Sequence, residues 1–345
     1  MKVTKVVERL GIDIGKNVFY LFGVDAQGTP VLRKKLRRGA LLEFLAQQPS
    51  CLIGMEACGG AHYWAREIRE LGHEVRLMAG QFVKPYVTGN KNDYNDAEGI
   101  CEAVGRSTMR FVAIKTVEQQ DVQGFHRMRQ AAIKARTALV NQMRGLLAEY
   151  GIVFATGVAQ ARRRVPEILE DAENGLTDRF RRWLNGLYEQ LREWDRCIDE
   201  YDREIDVLFR ADERCGRIAE IPGLGPVGAT ALVGAHGDAR QFESARQFSA
   251  ALGLVPRQHT TGGKPRLLGI SKRGDRYIRT LLIHGARSVV CRAMNKTDAR
   301  SRWIQRLVTE RGKNRAAVAL ANKNARIIWA MLTRGQAYRP AAPAT

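Results

Sequence analysis

The sequence predicts an α/β domain at the amino end, followed by a region built from helices alone. Three observations carry that reading. Strand-length apolar runs linked by turns fill residues 6–37, after which helix and strand alternate to about Met78. Strand signals stop near Val117. Beyond that point apolar residues recur in steps of four and three over four heptads.

The elements follow in order. Val6-Val7 and Leu10 to Ile14 lead through Gly15-Lys16-Asn17 into Val18 to Val24, and Asp25-Ala26-Gln27-Gly28 turns the chain into Val31-Leu32. Leu41, Leu42, Phe44 and Leu45 predict a helix, and the next strand ends at Glu56. Tyr63 to Leu71 has helical periodicity and stops at Gly72, and Glu74 to Met78 is a short strand. Three hairpin-linked strands before an alternating segment fit the order of an RNase H-like domain better than a doubly wound nucleotide-binding fold.

Gln119 to Tyr150 predicts a long helix with Val122, Phe125, Ile133, Val140, Met143 and Leu147 on a broad stripe. The heptad seam comes next: Phe180, Leu184, Leu187, Leu191, Trp194, Ile198, Tyr201, Ile205 and Leu208. It predicts a coiled coil, either folded back on the preceding helix or serving as a dimerisation arm; both can hold. From Cys215, helices are expected over 227–235, 244–252, 274–292, 299–311 and 316–333, with a loose tail from 336 that ends in Pro340 to Thr345. The expected domains are 1–116 (α/β), 117–214 (coiled coil), 215–335 (helical) and the tail 336–345.

Bulk properties narrow the function. The 345-residue chain carries a net charge of +20. Residues 257–326 hold 18 Lys/Arg against three acids, a concentration that favours polyphosphate partners through counterion release. No run approaches the roughly 20 apolar residues needed to span a bilayer, and the amino terminus has no secretory h-region. The six cysteines show no metal-binding spacing and read as free thiols of a reducing cytosol. The expectation is a cytoplasmic, nucleoid-associated protein without membrane partners.

Four acids stand out against this basic background. Asp13 interrupts Leu10-Gly11-Ile12-Asp13-Ile14, Glu56 closes Cys51 to Glu56, and Asp93 and Asp96 lie three apart where a helix begins. A carboxylate in or beside a strand is costly unless paired or holding metal. If the strands of Asp13 and Glu56 are neighbours, these acids converge with one face of the helix. Such a set can hold two divalent ions about 4 Å apart for phosphoryl transfer, with Mg²⁺ the expected ion. Asp93 alone has a simpler reading as a helix N-cap.

Two further segments suit phosphate. Gly223-Leu224-Gly225-Pro226-Val227-Gly228 fits G-x-G-x-x-G, but no strand precedes it. It reads instead as a helix-hairpin-helix turn, whose Gly223 and Gly225 let backbone N–H groups approach a phosphate, or as a plain interhelical turn. Gln258-His259-Thr260-Thr261-Gly262-Gly263-Lys264-Pro265-Arg266, continued by Ser271-Lys272-Arg273 and Arg276, mixes hydroxyls, glycines and cations. A hydroxyl placed there can attack phosphorus if activated; the plainer reading is an exposed basic loop.

In these segments the chain resembles a known family. Gly11-Ile12-Asp13-Ile14-Gly15-Lys16, Gly54-Met55-Glu56-Ala57-Cys58-Gly59 and Lys91-Asn92-Asp93-Tyr94-Asn95-Asp96-Ala97-Glu98 are similar to the catalytic segments of the DEDD transposases of the IS110/IS1111 insertion sequences. Ile221-Pro222-Gly223, Leu254 to His259 and Ile270 to Tyr277 resemble that family's second domain, and Leu281 to Arg287 and Ala321 to Arg326 extend the match. The resemblance runs from about residue 8 to 335.

It implies an RNase H-like (RuvC-like) domain, a coiled-coil insertion and a helical transposase domain. It also implies DNA recombination guided by a structured bridge RNA, and dimers that join into a tetramer. In the family a serine attacks DNA and forms a phosphoserine link, while the DEDD acids of a partner subunit hold metal. Here the corresponding segment reads Thr260-Thr261, so either threonine stands where the family has its nucleophile, or this copy is impaired. Lys264, Arg266, Lys272, Arg273 and Arg276 are the expected phosphate contacts, and Ser271 has a positioning or capping place. Two alternatives remain open: a RuvC-like structure-selective nuclease using metal-activated water, and a nucleic-acid-binding protein with a degenerate site.

Overall fold

A computed structural model describes residues 6–89 and 92–339; Pro340 to Thr345 lie outside the described residues, as do Asn90 and Lys91. The chain divides into two compact units, Met1–Thr116 and Val117–Thr345.

The first unit contains strands β1 (Arg9–Ile14), β2 (Val18–Val24), β3 (Pro30–Arg37), β4 (Leu52–Glu56), β5 (Glu74–Met78) and β6 (Phe111–Val112). Its helices are α1 (Leu41–Ala46), α2 (Ala61–Glu70), α3 (Gly80–Val83) and α4 (Asp93–Val104). The strands form one sheet of order β3-β2-β1-β4-β5-β6. The hairpin-linked β1, β2 and β3 are antiparallel, β4 and β5 run parallel to β1, and β6 is antiparallel to β5. This mixed sheet, with its alternation of strand and helix, is compatible with the expected RNase H-like domain. Val6-Val7 lie outside β1.

Strand alternation sorts the two faces. Leu10, Ile12, Phe19, Leu21, Ile53, Met55, Val75 and Leu77 point to one face, where they bury Leu41 and Leu45 of α1 and Trp64 and Ile68 of α2. The intervening positions face α4. There Phe22 and Val24 pack on Ala97 and Cys101. Gly11 and Gly54, partners across β1 and β4, lie beneath the same helix. A Cβ on Gly11 would stand 2.1 Å from the Ala97 carbonyl oxygen, and one on Gly54 would stand 2.7 Å from the Val104 Cβ. Only hydrogen at both positions lets the backbone of α4 rest this low on the sheet.

The second unit is mostly helical. Its elements are α5 (Val117–Ala148), α6 (Val158–Glu170), α7 (Asp178–Ala211), α8 (Glu213–Ala219), α9 (Pro226–His236), α10 (Ala245–Ala251), β7 (Pro256–Thr261), β8 (Lys264–Ile270), α11 (Arg276–Ala293), α12 (Ala299–Arg311) and α13 (Lys313–Arg334). The heptad segment is one helix, α7, packed along α5. Every seventh residue, Leu184, Leu191, Ile198 and Ile205, is buried within the chain, and Leu187, Trp194 and Tyr201 are half-buried. Asp195 ties the arm together through Arg136 of α5 at 2.8 Å and Arg162 of α6 at 2.6 Å.

The expectation of helices alone beyond Val117 is corrected here. The basic segment is a two-stranded antiparallel hairpin, β7–β8, turned by Gly262-Gly263. Apart from the half-buried Ile270 all its residues are exposed, so its backbone ladder rather than core packing shapes it.

If the two strand glycines set the height of α4, Gly11→Ala and Gly54→Ala should each destabilise the first unit by about 1–3 kcal/mol through overpacking. Gly39→Ala, where an added Cβ meets nothing within 4 Å, should have little effect. Thermal unfolding of the three variants checks this.

Candidate active site

The sheet register brings Asp13, Asp93 and Asp96 together and leaves Glu56 electrostatically coupled to them. Ile12 of β1 lies opposite Met55 of β4, so Asp13 and Glu56 are the next residues along the two parallel strands. Each is two residues beyond a glycine under α4, and so faces that helix. The helix begins at Asp93 and places Asp93 and Asp96 in its first turn. Asn92 is the N-cap, its side chain accepting the Tyr94 N–H at 3.0 Å, which corrects the capping reading of Asp93. The positive end of the helix dipole favours both acids there.

Oxygens of Asp13, Asp93 and Asp96 lie within 4.8 Å of one another. Burial first, then the carboxylates of Asp96, Asp93 and Glu56, push Asp13 up to about 6. Burial and Asp96 likewise raise Glu56. Every charge acting on Asp13 is thus of its own sign, a repulsion that a bound cation would relieve. Hard carboxylate oxygens at this spacing are the donor set of a divalent ion such as Mg²⁺. The residues present fit such an ion.

Three contributors lie outside the sequence-based expectation. A Cβ on Gly80, the first residue of α3, would come within 3.1 Å of Glu56 Oε2, so this glycine leaves the carboxylate its room. Tyr20, the β2 partner of Asp13, meets Tyr94 edge-on with ring centroids 4.9 Å apart. The cross-strand register and the aromatic beside Asp93 are the signals available for this pair.

The other expected site residues lie in the second unit. Thr260 and Thr261 end β7, paired with Pro265 and Lys264, and so point to opposite faces of the hairpin. The Thr260 hydroxyl accepts the Gln258 side-chain amide at 2.9 Å. Lys264 and Arg266 are exposed on β8, and Lys272, Arg273 and Arg276 are exposed beyond it. The base of the hairpin is firmly held. The Ser271 N–H donates to the Val255 carbonyl at 2.8 Å, and the buried Arg279 donates to the carbonyls of Leu252 and Arg273. Ser271 Oγ accepts the Arg273 N–H at 3.4 Å, while the cap of α11 is Asp275.

Gly223 has a left-handed φ of 92° and lies against Gly285 of α11, where a Cβ would meet the carbonyl oxygen at 2.5 Å. Its bareness serves helix packing. Gly225, the residue before α9, has open space around it.

Comparison with known proteins identifies the family. Residues 10–152 match the model of the DEDD transposases of IS110 elements, described as "Transposase". Residues 215–303 match that of the "Transposase IS116/IS110/IS902 family". A "Probable family 20 transposase" of Pseudomonas aeruginosa is 51% identical over 97% of this chain and 99% of its own length. The chain belongs to the IS110 family of transposases. The "Transposase for insertion sequence element IS1111A" of Coxiella burnetii is 48% identical over 97% of this chain and 92% of its own. That for IS1328 of Yersinia enterocolitica is 41% identical over 96% and 98%. This transposase is therefore a DNA-processing enzyme, and no helix among its described residues is long and apolar enough to cross a membrane.

The raised Asp13 fixes a pH dependence. Between about 4 and 6 the folded chain holds a proton that the unfolded chain has lost, so the contribution of this group to stability falls as pH rises through that window. In metal-free buffer Asp13→Asn should therefore raise stability at pH 8 by about 1 kcal/mol, discounted for solvent screening, and not at pH 4. Added Mg²⁺ should stabilise the wild type and not the variant, and its affinity should weaken as pH falls below about 6. Thermal melts at two pH values, with and without Mg²⁺, read both effects.

Proposed function

We propose that this transposase cuts and rejoins DNA strands in a Mg²⁺-dependent, RNA-guided reaction that uses a threonine hydroxyl as nucleophile. The observation that carries the reading is the convergence of Asp13, Asp93 and Asp96, with Glu56 coupled to them, on one side of the sheet. Mg²⁺ held by these four acids would supply electrostatic stabilisation of the charge that develops on the phosphoryl oxygens.

The chain's own residues do the rest. Thr260 or Thr261 attacks phosphorus: an O–P bond forms to the threonine as its hydroxyl proton passes to solvent or a nearby base, one P–O bond of the phosphodiester breaks, and the departing strand oxygen takes up a proton from solvent to become a free hydroxyl. The covalent link conserves the phosphodiester for rejoining to a second strand. Lys264, Arg266, Lys272, Arg273 and Arg276 neutralise the DNA backbone, with Ser271 and the Gly223–Gly225 turn positioning it. The extra methyl of a threonine crowds an in-line attack, so strand transfer should be slower than with serine at the same position.

Support for this division of labour comes from the chain itself. The acids occupy the first unit, and the exposed hydroxyls sit on a rigidly based hairpin in the second. The α5–α7 arm is the element proposed to join two copies, with pairs assembling into a tetramer. The half-buried alternate row of its heptad seam leaves apolar surface for that purpose.

Denaturing gels of reactions on DNA carrying the element's ends test the chemistry. A protein–DNA adduct should form, disappear in either Thr260→Ala or Thr261→Ala but not both, and grow in the corresponding serine variant. Asp96→Asn should lower adduct formation by about 100-fold or more. Cleavage without any adduct would contradict the threonine mechanism and favour attack by water. Guidance is read separately: a discrete structured RNA should co-purify, and RNase treatment should abolish recombination. Full activity on bare DNA would remove the guide.

A further inference from the structure

Beside the acid site lies a basic surface that the proposed function has not used. Residues 26–42 contain five cations, Arg33, Lys34, Lys35, Arg37 and Arg38, and no acid. All five are exposed, and among the described residues none makes an ion pair. Edge strands often carry lysines simply to discourage aggregation. Here the register says more.

Tyr20 of β2 is the cross-strand partner of both Asp13 and Lys35. Arg33, Lys35 and Arg37 occupy alternate positions of β3 and so share the face that carries the acids. Lys35 is two strands from Asp13, about 10 Å across the sheet. Two of these cations are held over aromatic rings that border the site. The Arg33 guanidinium carbon lies 4.5 Å from the Tyr94 ring centre, and the Lys35 ammonium 5.3 Å from that of Tyr20. Tyr94 in turn is next to Asp93 on α4. Lys34 and Arg38 instead lie over Phe44 and Trp64 on α1 and α2, away from the acids.

We infer that Arg33, Lys35 and Arg37, with Tyr20 and Tyr94, form a binding track for the DNA strand whose scissile phosphate enters the acid site. The inference rests on the metal-site reading above and adds the path by which the strand arrives. Alternate β-strand residues repeat every 7 Å or so, close to the spacing of successive phosphates in an extended strand. Cations in that row neutralise the phosphates flanking the one being cut. The two tyrosines offer an edge and a face against which a base can rest. An acid cluster by itself repels DNA, so cations beside it supply the attraction that brings the strand close.

The test uses the full chain and a fluorescein-labelled oligothymidylate in Ca²⁺ buffer, followed by anisotropy over a range of salt. It needs no catalysis, so it stands or falls apart from the threonine chemistry. Changing Arg33, Lys35 and Arg37 together to Gln should weaken binding and reduce the salt slope by about two. The Lys34→Gln, Arg38→Gln double variant, on the opposite face, should leave the slope at its wild-type value. Equal slopes in wild type and triple variant, with both folded by circular dichroism, would overturn the track. So would equal losses in the triple and the double variant, which would mark a diffuse charge effect. Repeating the titration with oligouridylate separates sources: tighter binding of RNA than DNA here would assign the track to RNA and contradict the proposal.

Discussion

The seating of one helix on two strand glycines is the contact on which the first unit and its acid cluster depend. Gly11 and Gly54 stand side by side on parallel neighbours, and each is two residues short of an acid. Because strand side chains alternate, what lies under α4 at position 11 lies under it again at position 13. The same absence of side chains that lets the helix approach therefore aims Asp13 and Glu56 at its first turn. Asn92 caps that turn and leaves Asp93 and Asp96 to face them. Sheet, helix and acids form one geometric unit, and moving α4 outward by the radius of a methyl would separate its parts.

Stability and chemistry pull against each other at this point. Burial, together with the neighbouring carboxylates of Asp96, Asp93 and Glu56, disfavours a charged Asp13 in the metal-free chain and pushes it up to about 6. Burial of Phe22, Val24, Ala97 and Cys101 nearby holds α4 in place against that repulsion. The second unit meets a different demand. Its hairpin buries almost nothing, so its shape comes from ladder hydrogen bonds and from a base pinned by Arg279 and the Ser271 and Lys272 amides. A projecting, polar element on a fixed base keeps its hydroxyls and cations open to a large partner.

How much of this is legible in the sequence follows from how each element is stabilised. Strand-length apolar runs bounded by turns expose the strands around Asp13 and Glu56, and the run Glu74 to Met78 agrees with β5 residue for residue. The spacing of Asp93 and Asp96 gives their shared helix face. The height of α4 is not legible, although Gly11 and Gly54 carry it, because a glycine in a strand signals close approach without saying what approaches. The hairpin at Pro256–Ile270 is hidden because no apolar periodicity marks a strand pair that packs on nothing. Helix α6 is hidden as well: the basic run Arg162-Arg163-Arg164 and the internal Pro166 conceal the buried Ala161, Val165 and Ile168.

The central claim is that these four acids make one metal site under α4. Anomalous scattering from crystals of the full chain soaked in Mn²⁺ tests it most directly. Density for bound ions is predicted among the carboxylates of Asp13, Glu56, Asp93 and Asp96, lost in the Gly54→Ala variant as the helix is displaced. Ions bound elsewhere, with these carboxylates left bare, would contradict it.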